Sequence, residues 1–187
     1  VDERSFKTLD TKKKNARIAL LSCMSDLFGG NIFAMWGAVE KSKPDLVLLL
    51  GDNVYGDIAG VLHGPTILWR RYIETRRALP FYHWYELIPS IAIWDDHDFG
   101  KNNVGYYEHR EHSLATFNAF YAQDEVPGFF ERGEGVSSSF ELFGHRFVMF
   151  DGRYYRLPSS KVILGDKQMA WAEDKITTAN KPLFITM

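Results

Sequence analysis

Asp95-Asp96-His97-Asp98 is the densest ionisable group in the chain. Three carboxylates this close repel one another unless a proton or a cation lies among them. They follow an apolar run, Pro89 to Trp94, so clustered acids at the end of a buried strand fit a metal better than a solvated charge run. A second acidic loop, Gly51-Asp52-Asn53-Val54-Tyr55-Gly56-Asp57, follows the run Asp45 to Gly51 (DLVLLLG). A lone buried carboxylate there is costly. One carboxylate can, however, bridge two cations, as two-metal phosphoester hydrolysis requires. Taken alone, Asp52 reads as a helix cap or an Asx-turn; Tyr55, Asp57 and the later cluster shift the reading to metal.

His97 is either a ligand or the donor of a proton to a leaving alcohol, because imidazole titrates in the right range without perturbation. Cys23 ends a third apolar run, Arg17 to Cys23, with Asp26 close behind. Two readings of it stand side by side, a buried free thiol and a thiolate ligand. Tyr55 by itself reads as a core or rim tyrosine, since a phenolate ligand needs a strongly acidic metal such as ferric iron to bring its pKa down from about 10. Arg153 and Arg156 follow Asp151-Gly152 and suit either a bidentate grip on phosphate or ordinary salt bridges. His63, His83, His109, His112 and His145 have no comparable context and read as structural or exposed.

The elements that must position these residues alternate. Strands are expected at 17–23, 45–51, 89–94, 137–143, 146–151 and from Lys181 onward. Helices are expected at 31–43, 65–79, 110–123 and 166–178. Asn31 can cap the first helix, with Ile32, Met35, Trp36 and Val39 on one face. Pro65 suits a first helical turn. Met169, Ala172 and Ile176 form the inward face of the last helix, Gly144-His145 reads as a hairpin turn, and Leu157 to Lys161 as a loop. The order βαβαβαββαβ implies an α/β protein with a largely parallel core in one domain, 1–187. In such sheets ligands bind beyond the carboxyl ends of strands, which is where every group above falls.

Composition narrows the function. The chain has 187 residues, 45% hydrophobic and 25% charged, the balance of a globular protein. Its net charge of −2 gives no basic footprint for nucleic acid, and Lys12-Lys13-Lys14 with Arg17 reads as a solvated entry segment. No apolar run approaches a membrane span. A single cysteine leaves the redox compartment unreadable. No G-x-x-x-x-G-K-[ST] or G-x-G-x-x-G turn follows a strand, which weighs against a nucleotide-binding domain.

Ser22-Cys23, GDNVYGD (51–57), WDDHDFGKNN (94–103), DGRYYR (151–156) and LGDKQMAW (164–171), in this order, resemble the alkaline phosphatase D (PhoD-like) branch of the calcineurin-like metallophosphatases. The resemblance implies a four-layer α/β/β/α sandwich and a site with two or more metal ions, iron with calcium or another divalent cation. It implies hydrolysis of a phosphate-ester substrate, monoester or diester, by metal-bound hydroxide. Carried over by motif, Cys23, Asp52 and Tyr55 match iron-side ligands, and Asp96 and Asn102 match second-site ligands. His97 matches the histidine assisting the leaving group, with Arg153 and Arg156 near the substrate. An extracytoplasmic location follows from the resemblance alone. The family's later GDxHxxE-type segment does not occur before Met187. The expectation is therefore that this chain is the N-terminal part of a longer domain, because half a sandwich would expose an apolar sheet face; a second chain completing the site, or a protein without full activity, are the other routes. Rival readings are a diesterase for phospholipid or teichoic-acid-like polymers and a non-catalytic metal-binding domain.

Overall fold

A computed structural model describes residues 3–27, 31–58, 62–157, 159 and 161–187. The five strands of the sequence pattern that surround the acidic loops form as expected, each slightly shorter than its apolar run. β1 (Ser5–Phe6) is a short addition. β2 (Ile18–Leu21) leads into α1 (Ile32–Ser42), whose end is marked by Lys43 in the left-handed region and then Pro44. β3 (Leu46–Leu50) is buried on both faces, as a strand covered on both sides must be. α2 (Pro65–Ala78) opens on proline and runs into a 3-10 turn, Pro80–His83. β4 (Glu86–Leu87), β5 (Ser90–Ile93) and a single-turn helix α3 (Asp96–Phe99) follow. The rest is α4 (Arg110–Tyr121), β6 (Phe130–Arg132), β7 (Ser138–Leu142), β8 (His145–Met149), α5 (Asp166–Thr177) and β9 (Leu183–Thr186).

β2, β3 and β5 pair in parallel with β3 central, which brings the ends of all three strands to one edge. The second sheet runs β6-β7-β8-β9, antiparallel until β9 joins β8 in parallel. Alternation along β8 connects the layers. Phe147 and Met149 join the main core with Leu46 to Leu49 and Ile91 to Ile93, while Val148 packs with Phe150, Ala172 and Trp171 beneath α5. On the other side Trp36 of α1 stacks on Phe81 at 5.2 Å. The result is helix, sheet, sheet, helix, the expected α/β/β/α sandwich. Among the described residues no helix is long and apolar enough to cross a membrane.

Several local expectations are corrected. Asn31 makes no side-chain cap. Met35 and Met169 are 42% and 49% exposed, because each stands at the margin of its helix's apolar stripe; the inward polar residue of α5 is Gln168, fully buried. The β7–β8 turn falls on Phe143-Gly144, both with positive φ, and His145 already pairs with Leu142. In the 157–161 loop, Pro158 and Ser160 lie outside the described residues, and Leu157 bridges Val162. The short β1, β4 and β6 and the 3-10 turn carry too few residues to show a period.

Candidate metal centre

The loops after β2, β3 and β5 are stitched together by backbone contacts. The Cys23 amide donates to the Gly51 carbonyl at 3.1 Å, and the Met24 amide to the Asp52 carbonyl at 2.8 Å. Gly51 has φ +103°, and a Cβ there would come within 2.7 Å of the Asp95 Cβ, so only glycine lets these loops touch. Gly56 is equally constrained: a Cβ would sit 2.6 Å from the His97 carbonyl oxygen, which the Gly56 amide already meets at 3.1 Å. Cys23 and Asp52 themselves adopt φ of 56° and 52°, a costly conformation for residues with a Cβ and one typical of ligand clamps.

The result is one cluster. Ligating atoms of Asp52, Asp96 and His97 all lie within 4.8 Å of one another. Asp52 is pushed up to about 6, first by burial and then by the charge of Asp96, against the opposing pull of His97. Burial also opposes ionisation of Asp96, but the Asn103 amide at 2.6 Å and the Arg153 and His97 charges outweigh it and hold that carboxyl below its usual value. Two facing carboxylates this close repel one another, and a cation between them would relieve the repulsion. Such a carboxylate–imidazole set fits a hard or borderline divalent or trivalent cation.

Around the cluster, the Cys23 sulfur is 3.8 Å from the Asp52 carboxylate. The Tyr55 ring stacks on His97 at 4.2 Å between centroids; burial pushes its phenol up to about 12, with Asp52 adding to the shift. Asp57, 2% exposed, hydrogen-bonds His97 Nδ1 and also accepts from the Asn102 amide at 2.8 Å. It thereby fixes the ring and leaves Nε2 as the nitrogen available to the site. Arg153 pairs with Asp95, reaches to 3.9 Å from Asp96, and keeps Nη1 buried without a partner among the described residues. Beside a cluster that fits cations, that unmet donor is suited to a phosphoryl oxygen.

Other predicted residues stand elsewhere. Asn102 meets the cluster through its backbone, and its side chain is exposed. Arg156 turns its amide to the Arg153 carbonyl; among the described residues no hydrogen bond or ion pair joins its guanidinium to the cluster. Three acids expected at strand ends are structural. Asp26 faces Arg71 at 2.5 Å and Thr75 at 3.1 Å. Asp98 accepts from the amides of Asn53, Val54 and Asp95 at 3.1, 2.9 and 3.0 Å. Asp151 accepts the Trp94 indole N–H at 2.7 Å and the amides of Val136, Arg153 and Tyr154. The orienting role of Asp57 was missed. Its signal was present, a second aspartate five residues after Asp52, but a role through histidine needs the fold to be seen.

The two-sheet α/β sandwich, with Asp52, Asp96 and His97 gathered at the parallel strand ends, is a fold shared with solved structures. Among solved structures the chain is similar to that of PhoD, with a TM-score of 0.68 and 18% identity over 94% of this chain and 42% of that one. It is also similar to the purple acid phosphatase PPD1 from yellow lupin (Lupinus luteus) seeds, with a TM-score of 0.55 and 15% identity over 91% of this chain and 29% of that one. The chain thus spans less than half the length of either. No protein-family model and no curated protein sequence matches it.

Proposed function

We propose that this chain is the metal-binding part of a phosphoesterase that hydrolyses phosphate esters. The observation that carries the reading is the convergence of Asp52, Asp96 and His97 within 4.8 Å, in a fold shared with two phosphatases. Asp52 and Asp96 would hold the cations, joined by Cys23 and Tyr55 on one side and Asn102 on the other. A thiolate and a phenolate suit iron, whereas carboxylate and amide oxygens suit calcium or another divalent ion. When bound, such ions polarise phosphoryl oxygens and lower the pKa of water.

The chain's own residues supply the rest. Arg153 presents an unpartnered N–H to an equatorial phosphate oxygen, and Asp95 keeps its guanidinium in place. His97, its Nδ1 held by Asp57, gives the proton on Nε2 to the departing alcohol oxygen. Arg156 would serve substrate beyond the phosphate.

Elemental analysis of protein purified without chelator tests the metal. Near-stoichiometric iron with a divalent partner is expected, and Asp52→Asn should lose both metal and turnover of p-nitrophenyl phosphate and bis(p-nitrophenyl) phosphate. His97→Ala should retain metal and lose turnover, most severely for alkyl esters with poor leaving groups. Metal loss in His97→Ala would make it a ligand instead. Metal retained without turnover of either ester, in any length of chain, would leave a binding domain.

A further inference from the structure

Basic side chains also gather at the opposite end of the three-stranded sheet, away from the metal cluster. A cavity of about 590 Å³ opens there between the end of α2, the 3-10 turn, the start of β5 and the end of α4. Arg4, Arg76, Arg77 and His83 line it over an apolar floor that includes Ile73, Phe81 and Phe120, and no Asp or Glu is among the described lining residues. The volume is that of a small-molecule site.

Two arginines on one helix make the argument. Arg71 is buried and fully answered: it meets Asp26 at 2.5 Å, Glu74 at 2.6 Å and the Tyr55 carbonyl at 3.0 Å. Arg76, little more than one turn later, has no carboxylate partner among the described residues. Its guanidinium carbon lies 4.8 Å from the Tyr82 ring, 5.2 Å from Phe120 and 5.4 Å from Tyr121, and one N–H donates to the Phe120 carbonyl. The rings fix its direction without neutralising it, and Nε is buried without a partner among the described residues. Placing a cation among aromatic rings costs solvation that cation–π contact offsets only in part. An anion seated beside Arg76 and Arg77 would supply the missing charge, and the apolar floor would take up its body.

We propose that this cavity binds a small organic anion, one acidic head group on an aromatic or branched apolar body, at a site separate from the metal cluster. Ser90 at its rim begins β5, while Asp95 follows the other end of the same strand. The inference does not depend on the phosphoesterase reading.

The test is titration calorimetry of the full chain with 2-naphthoate, and with acetate as a head group lacking the body. The buffer contains no phosphate, which would compete for the same arginines. Saturable binding of one equivalent of 2-naphthoate is expected, with acetate at least about tenfold weaker. Arg77→Glu and Ser90→Glu, both at exposed positions, should each weaken 2-naphthoate by about tenfold or more with unchanged circular dichroism. No saturable binding, or wild-type affinity in both variants, would overturn the proposal.

Discussion

The loops after β3 and β5 and the loop after β8 all carry aspartates near their start, yet the two regions use them in opposite ways. In the first, Asp52 and Asp96 turn oxygens toward each other and toward His97. In the second, Asp151 is fully buried and both its oxygens are engaged, by an indole N–H and three amides in all. The same contrast recurs within four residues of α3. Asp96 faces the cluster, whereas Asp98 is enclosed by three amides. Asp96 accepts the His97 and Asn103 amides and still keeps an oxygen within 4.8 Å of Asp52 and His97, so it is enclosure by backbone, not contact with it, that takes an acid out of the cluster. Asp98 adds to the backbone contacts that hold the loops after β3 and β5 together.

The largest expected effect separates these classes. Asp98→Ala and Asp151→Ala each leave at least three buried donors unanswered. At about 1–3 kcal/mol per stranded group, either should lower the unfolding free energy by about 3 kcal/mol or more in denaturant titrations. Asp98→Ala should also abolish metal binding, because the β3 and β5 loops lose their buckle. Asp52→Asn has the reverse signature. It relieves the repulsion with Asp96, so the metal-free protein should be as stable as wild type or more so, while metal is lost. Equal destabilisation by Asp52→Asn and Asp98→Ala would break the distinction.

A smaller effect is expected at Asp57, which acts through another residue. Asp57→Asn keeps a hydrogen-bond partner for His97 but not the charge that fixes its tautomer. Loss of an orienting carboxylate of this kind typically costs about 10–100-fold. The expectation is a fall of that size in kcat with little change in KM, with metal content retained and the acidic-to-basic shape of the pH–rate profile altered. A variant with unchanged kcat and profile would make Asp57 a loop fastener only.

Much of the frame was legible from sequence because its signals are local. Apolar runs marked β2, β3, β5, β7 and β8, and amphipathic spacing marked the four longer helices. Strand-end position then brought Cys23, Asp52, Tyr55, Asp96 and His97 into one region, since parallel strands align their carboxyl ends. What sequence did not separate was Asp96 from Asp98 or Asp52 from Asp26. Each pair has the same residue type at a similar distance from a strand. The difference lies in which amides or guanidinium reach the carboxylate, and those donors come from residues as far as 45 positions away. Arg156 and Asn102 stood on motif alone, and side-chain direction in a loop has no periodicity to read.

The smallest effect sharpens the contrast with a third kind of acid, one answered by side chains at the surface. Glu141 on β7 meets Arg146 at 2.5 Å and also pairs with Lys181 just before β9. The Lys181 ammonium, then Arg146, hold its carboxyl below the usual 4.5. A depressed carboxyl stabilises the fold above the pKa of the unfolded chain and loses that contribution as pH falls through the folded value. Glu141→Gln should therefore cost about 0.5 kcal/mol near pH 7, and its melting curve should converge on wild type toward about pH 3. Salt should shrink the difference, because flexible side chains in water answer this acid. Asp98 and Asp151 are answered by buried backbone and should show no comparable salt dependence. A Glu141 effect as large as that of Asp98, or one insensitive to salt, would mean that exposure does not divide these carboxylates as argued.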